Sequence, residues 1–173
     1  GEIMALRWDE IDLEKKTAHI CRIVVENQVV ERTKTKYTRT VMLNSRAMGA
    51  LERAREVSHY RSRQKRRVST DSPFVFQPSG RSPYMKGPST PGGHFNEAID
   101  GKRIRPRPQY NCRHTYATMC LMSGMNPAFI AGQLGHSVQV LLSTYAKWLN
   151  SANDWSELEK LEMQLIGTEL VQD

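Results

Sequence analysis

Between Asn111 and Trp148 the chain is cut into short apolar segments by residues that end helices, and this punctuation constrains the fold most. Asn111 to Ser123 carries Tyr116, Met119, Cys120, Leu121 and Met122, apolar nearly all round. That composition predicts a buried helix closed by Gly124. Asn126 followed by Pro127 is an N-cap and first-turn pair, opening a second helix with Phe129, Ile130 and Leu134. Gly135 ends that helix and leaves His136 at a helix–helix corner. Ser137 then caps a third helix through Val140, Leu141, Tyr145 and Trp148.

The first third reads differently. Ile3-Met4-Ala5-Leu6 with Trp8 is the end of a helix, and Asp9-Glu10-Ile11-Asp12 turns the chain. Thr17 to Val25 is rich in Ile, Val, Thr and Cys, as a strand is. Glu26-Asn27-Gln28 offers a hairpin turn into a second strand, Val29 to Thr33. A basic connection, Lys34-Thr35-Lys36-Tyr37, leads to a third, Thr40-Val41-Met42-Leu43. Tight connections between three short strands predict a small antiparallel sheet. Asn44 or Ser45 caps a helix running to about Val57, with Met48, Leu51 and Ala54 at helical spacing. The basic run Arg61 to Arg67 is read either as phosphate-contacting or as a solvated loop. Residues 69–93, rich in Ser, Thr, Pro and Gly, predict a long loop anchored by Phe74-Val75-Phe76. A last amphipathic helix carries Trp155, Leu158, Leu161 and Leu165 along one stripe. The expectation is an α+β fold, mostly helical with a three-stranded antiparallel sheet, divided into a body (1–150) and a tail (151–173).

The chain has 173 residues, enough for one domain with its own core. It holds no run approaching the roughly 20 apolar residues of a membrane span. Lys and Arg number 25 against 18 acids, for a net charge of +7. The tail carries one lysine, Lys160, against six acids, a balance of −5, which leaves +12 on residues 1–150. A basic body implies a polyanionic partner, nucleic acid first, although charge alone does not separate that from a merely basic soluble protein. Three cysteines, Cys21, Cys112 and Cys120, form no CxxC pair and argue against a disulfide framework or a zinc ribbon. Cys112, His114 and Cys120 fit no zinc spacing, so no metal is expected. A reducing, intracellular compartment is the natural reading.

Singly, Lys34, Arg113, His136 and Tyr145 have ordinary structural readings. Together, Arg113-His114-Thr115-Tyr116-Ala117, then Leu134-Gly135-His136-Ser137, then Tyr145 nine residues beyond His136, make a composite pattern. It resembles the tyrosine recombinase, or phage integrase, family over about residues 1–150. Gly1 to Asp12 resembles the segment that follows the family's first catalytic arginine. Arg32 to Lys36 with Arg39 to Leu43 resembles its β-hairpin lysine region.

The resemblance implies an integrase-like catalytic domain that cuts and rejoins DNA through a 3′-phosphotyrosyl intermediate. Tyr145 is then the nucleophile, Arg113 the phosphate clamp, His136 a phosphate hydrogen-bond donor and Lys34 the general acid. These types suit the chemistry. A phenol with a pKa near 10 must be aimed and deprotonated, and a guanidinium grips two phosphate oxygens at once. Glu2 matches an acidic residue that supports the site, while Lys36 and Arg39 are expected to touch DNA. Tyr110 stands where the family most often has histidine; it can hydrogen-bond a phosphate but cannot act as a base at neutral pH. Packing beside Pro108 is its plain alternative. The first clamp arginine would lie before Gly1, so this span alone is expected to cleave poorly.

No cofactor is implied. The implied partners are double-stranded attachment-site DNA, further copies in a tetramer on that DNA, and accessory DNA-bending proteins, with no membrane. The setting is cytoplasmic, bacterial or phage-encoded, and nucleoid-associated. Two rival readings are a type IB topoisomerase-like enzyme and a non-cleaving DNA-binding regulator or integrase remnant.

Overall fold

The computed structural model describes residues 1–31, 38–63, 72–78, 82–145, 158–159 and 162–163. The basic connection holding Lys34 and Lys36, residues 64–67 of the basic run, and Trp155, Leu161 and Leu165 of the tail stripe lie outside the described residues. Leu158, Glu159, Glu162 and Met163 are helical and exposed.

Helix α1 (Glu2–Ala5) stops at Leu6, whose backbone is extended. The chain is caught there by the Phe74–Val75 segment: Val75 N–H donates to the Leu6 carbonyl and Trp8 N–H to the Pro73 carbonyl, both at 2.9 Å. Phe74 and Val75 are buried, so this segment is the anchor expected inside the long loop. A single 3₁₀ turn, Trp8–Glu10, then delivers the chain into a strand, β1 (Ile11–Asp12), where the sequence reading had only a turn.

Four more strands follow: β2 (Thr17–Ile20), β3 (Ile23–Val25), β4 (Gln28–Val30) and β5 (Arg39–Met42). The three-stranded antiparallel sheet exists, in the order β1-β2-β5, with Ala18 opposite both Ile11 and Val41. Its membership differs from expectation, because the run from Thr17 to Val25 is two strands and the β3–β4 hairpin stands apart. Glu10 accounts for the break. Its carboxylate accepts from the Cys21 thiol at 2.8 Å and pairs with the Arg22 guanidinium, drawing residues 21 and 22 out of line. Burial, with Glu10 beside it, pushes the Cys21 thiol up to about 11. Between β3 and β4, Glu26 and Asn27 both take positive φ, the two-residue turn that matches strand twist.

Helix α2 (Ser45–Arg63) begins where Asn44 Oδ1 accepts from Ala47 N–H at 2.9 Å, and runs well past Val57. Helix α3 (Ser89–Gly101) corrects the long loop, whose last residues are its first turns. Pro91 costs nothing in a first turn, where N–H groups have no helical partner.

Helices α4 (Asn111–Met122), α5 (Pro127–Leu134) and α6 (Val138–Tyr145) follow the punctuation closely, and Trp148, expected on the third of them, lies outside the described residues. Asn126 Oδ1 accepts from Ala128 N–H at 2.8 Å, Gly135 closes α5 at φ +72°, and Ser137 Oγ accepts from Val140 N–H at 3.2 Å. Ala117, Cys120, Leu121, Ile130, Ala131, Leu134, Leu141 and Tyr145 form the main core. Met119 and Met122 are exposed, so α4 buries one face and not its whole girth. Helix α5 also reaches β5, where Met42 N–H donates to the Gln133 side-chain oxygen at 2.9 Å. That contact ties the sheet to the helical third.

Candidate active site

Arg113 lies in the first turn of α4 and reaches the far end of α5, donating from Nη2 to the Leu134 carbonyl. A carbonyl in a helix's last turn has no helical partner and sits at the negative end of the dipole, so a guanidinium suits it. This bond sets Arg113 beside the α5–α6 corner that carries His136. Burial holds the His136 imidazole below its ordinary pKa, and the Arg113 and Arg39 guanidinia lower it further. The Ser137 carbonyl, 3.4 Å from Nδ1, works the other way. A half-buried imidazole flanked by two cations is a place prepared for an anion.

Arg39, at the start of β5, is fixed from two sides. Its Nη1 and Nη2 donate to the two Glu2 carboxylate oxygens at 2.8 and 2.7 Å, and Nε donates to the Gln133 carbonyl at 3.2 Å. Gly135 lies directly beneath. A Cβ built there would fall 2.9 Å from the Arg39 guanidinium carbon, at a backbone φ of +72°. Glycine is therefore demanded twice, by conformation and by the close approach of Arg39. Arg39, Gly135, His136, Ser137 and Thr38 line an open cleft of about 510 Å³.

Tyr145, on the last turn of α6, is 4% exposed and belongs to the main core. Its hydroxyl lies 2.8 Å from His114 Nδ1, the phenol donating whenever that nitrogen carries no proton. The exposed Tyr110 ring meets the His114 ring edge-on, with centroids 5.0 Å apart. Burial pushes the Tyr145 phenol above its ordinary pKa, Tyr110 adds to the rise, and Arg113 opposes it.

The structure thus brings Arg113, His136, Arg39 and Glu2 to one corner, with Tyr110 and Tyr145 joined through His114. Lys34 and Lys36 fall outside the described residues. Sequence reasoning took His114 only as part of a motif and as a rejected zinc ligand, and passed over Gln133 entirely. His114 was findable: it stands four residues after Tyr110, which puts both on one helix face. Gln133 had no local signal, since its partners are on a strand 91 and 94 residues away. Among the described residues no group of three His, Cys, Asp or Glu side chains is placed to hold a metal ion.

Residues 1–151 match the family described as "Phage integrase family". The prophage integrase IntR of Escherichia coli K12 is 33% identical over 168 residues, an alignment covering 89% of this chain and 41% of IntR. The Tn1549 transposon integrase, solved in complex with a circular intermediate DNA, superposes with a TM-score of 0.69 at 20% identity, over 94% of this chain and 53% of that one. The XerA recombinase superposes with a TM-score of 0.62 at 22% identity, over 95% and 52%. The chain therefore spans about two fifths of the length of IntR and about half of each solved chain.

Proposed function

This chain belongs to the phage integrase family, and from that premise we propose that it is the catalytic part of an enzyme that exchanges DNA strands at specific sites. The observation that carries the reading is the corner where Arg113 and His136 meet, with Tyr145 one short helix away. Arg113 and Arg39 supply positive charge, and His136 a hydrogen-bond donor, for a scissile phosphate held at this corner. Tyr145 attacks the phosphorus, the 5′ oxygen leaves with a proton from Lys34, and the 3′-phosphotyrosyl bond keeps the energy needed for rejoining. Tyr110 adds a phosphate hydrogen bond and Lys36 a phosphate contact.

Duplex DNA is the partner, engaged by the basic body in the bacterial cytoplasm. Among the described residues no helix is long and apolar enough to cross a membrane. Assembly is a tetramer on attachment-site DNA, aided by DNA-bending proteins, with the acidic tail docking on protein because its −5 charge opposes DNA. Supporting the reading are the family itself, the likeness to a prophage integrase, and a fold shared with an integrase solved on DNA.

The test is covalent capture. Full-length protein carrying this chain, offered nicked attachment-site DNA, should form a protein–DNA adduct that Tyr145→Phe abolishes. Adduct formation by the Phe variant would sink the assignment.

A further inference from the structure

Resting on the nucleophile reading of Tyr145, we propose that His114 is the general base of the cleavage step, taking the phenolic proton through Nδ1. The geometry is on the helices themselves. Tyr145 Oη and His114 Nδ1 are already within hydrogen-bond distance, at 2.8 Å, with Tyr145 on α6 and His114 in the first turn of α4. One turn earlier on the same helix face stands Tyr110, whose phenol accepts no proton at neutral pH. His114 stands four residues on, packs edge-on against that Tyr110 ring, and presents a nitrogen to the nucleophile. Among the described residues, the titratable and charged groups around the pair are Tyr110 and Arg113, both from α4.

The need for a base is physical. Burial makes the Tyr145 phenol harder to ionise than a free one, and Arg113 only partly offsets this. Oη forms its bond to phosphorus as its proton passes to Nδ1, with Nε2 already carrying the ring's own proton. The bond from phosphorus to the 5′ oxygen breaks, and that oxygen receives a proton from the general acid. In rejoining, the 5′ hydroxyl attacks and returns its proton to the deprotonated general acid, the Oη–phosphorus bond breaks, and Nδ1 returns its proton to the phenolate. His136, whose Nδ1 faces the Ser137 carbonyl, stays free to serve the phosphate.

The experiment uses the full-length protein and single-turnover cleavage of a nicked attachment-site duplex. His114→Ala removes the acceptor. His114→Asn keeps a polar atom near the Nδ1 position but takes up no proton, and it carries the test if the alanine variant does not fold. Each should slow adduct formation about 100-fold or more, the usual contribution of a general base, with DNA affinity unchanged. Ring-fluorinated tyrosine at position 145, a more acidic phenol, should then recover at least about tenfold in the His114 variants and change the parent little, because a readily ionised nucleophile needs less help. Asparagine at 114 cleaving at the parent rate, or a loss that fluorotyrosine leaves untouched, would show that His114 only packs. An adduct persisting in Tyr145→Phe would remove the nucleophile, and this proposal with it, whereas failure at His114 alone leaves the function reading intact.

Discussion

Glu2 and Arg39 grip each other through both carboxylate oxygens, at 2.8 and 2.7 Å, across 37 residues of chain. The pair joins the first turn of the chain to β5, and it aims Arg39 at the corner where His136 and Gly135 sit. Arg39 keeps spare N–H groups after this pairing, so bracing by Glu2 and contact with a phosphate are compatible.

A double-mutant cycle measures the link. Glu2→Gln and Arg39→Gln should each destabilise by about 1–2 kcal/mol in urea, and the double variant by clearly less than their sum, because charged, two-pronged hydrogen bonds couple. Glu2 is partly exposed, which keeps the value modest. Additive effects would show that the pair does not act as a unit.

At Gly135 two costs coincide. Alanine there must hold a φ of +72° and displace a guanidinium that Glu2 and the Gln133 carbonyl already fix. Gly135→Ala should lose about 1–3 kcal/mol of stability and slow cleavage more than Gly132→Ala, where an added Cβ meets nothing. Equal effects at the two glycines would mean the close approach of Arg39 is unimportant.

Local chemistry made the helical third readable. Asn126-Pro127, Gly135 and Ser137 each act within a few residues of themselves, so their hydrogen bonds are written in adjacent letters. The sheet was readable only in outline, because Ala18 finds Val41 through long-range pairing and Glu10 pulls Cys21 and Arg22 out of an otherwise continuous strand pattern. Helix α3 was hidden by its own first turns, whose Ser, Thr, Pro and Gly residues read as loop until Phe95 and Ile99 find partial cover. At the site, motif spacing pointed to Arg113, His136 and Tyr145. It could not say that the buried Tyr145 hydroxyl meets His114, since that contact depends on how α6 returns across α4.

His136 gives stability a pH dependence of definite sign. Burial and two neighbouring guanidinia hold its folded pKa below the unfolded value of about 6.5. Over the window between them the unfolded chain binds more protons than the folded one. Stability is therefore full above about pH 6.5 and falls as pH drops through the folded value. Imidazole NMR should place the His136 midpoint below 6.5, and His136→Asn should flatten that part of the stability curve. A midpoint above 6.5 would mean that the cations are not felt there.

With +12 on residues 1–150 and −5 on 151–173, the body should attract duplex DNA and the tail should oppose it. Each phosphate neutralised releases counterions, and about four such contacts would weaken binding on the order of 100-fold between 50 and 200 mM salt. Arg39→Gln should reduce that slope by about one contact if its spare N–H groups reach a phosphate, and leave it unchanged if Glu2 claims the side chain entirely. Ending the chain near position 150 removes net negative charge and should tighten non-specific binding at low salt, an effect that fades as screening shortens to about 8 Å at physiological ionic strength. Anisotropy titrations over a salt series read all three. Binding that ignores salt would remove the nucleic-acid reading of the body, and a tail deletion that weakens DNA binding would show the tail holding DNA-bound protein together instead of repelling the duplex.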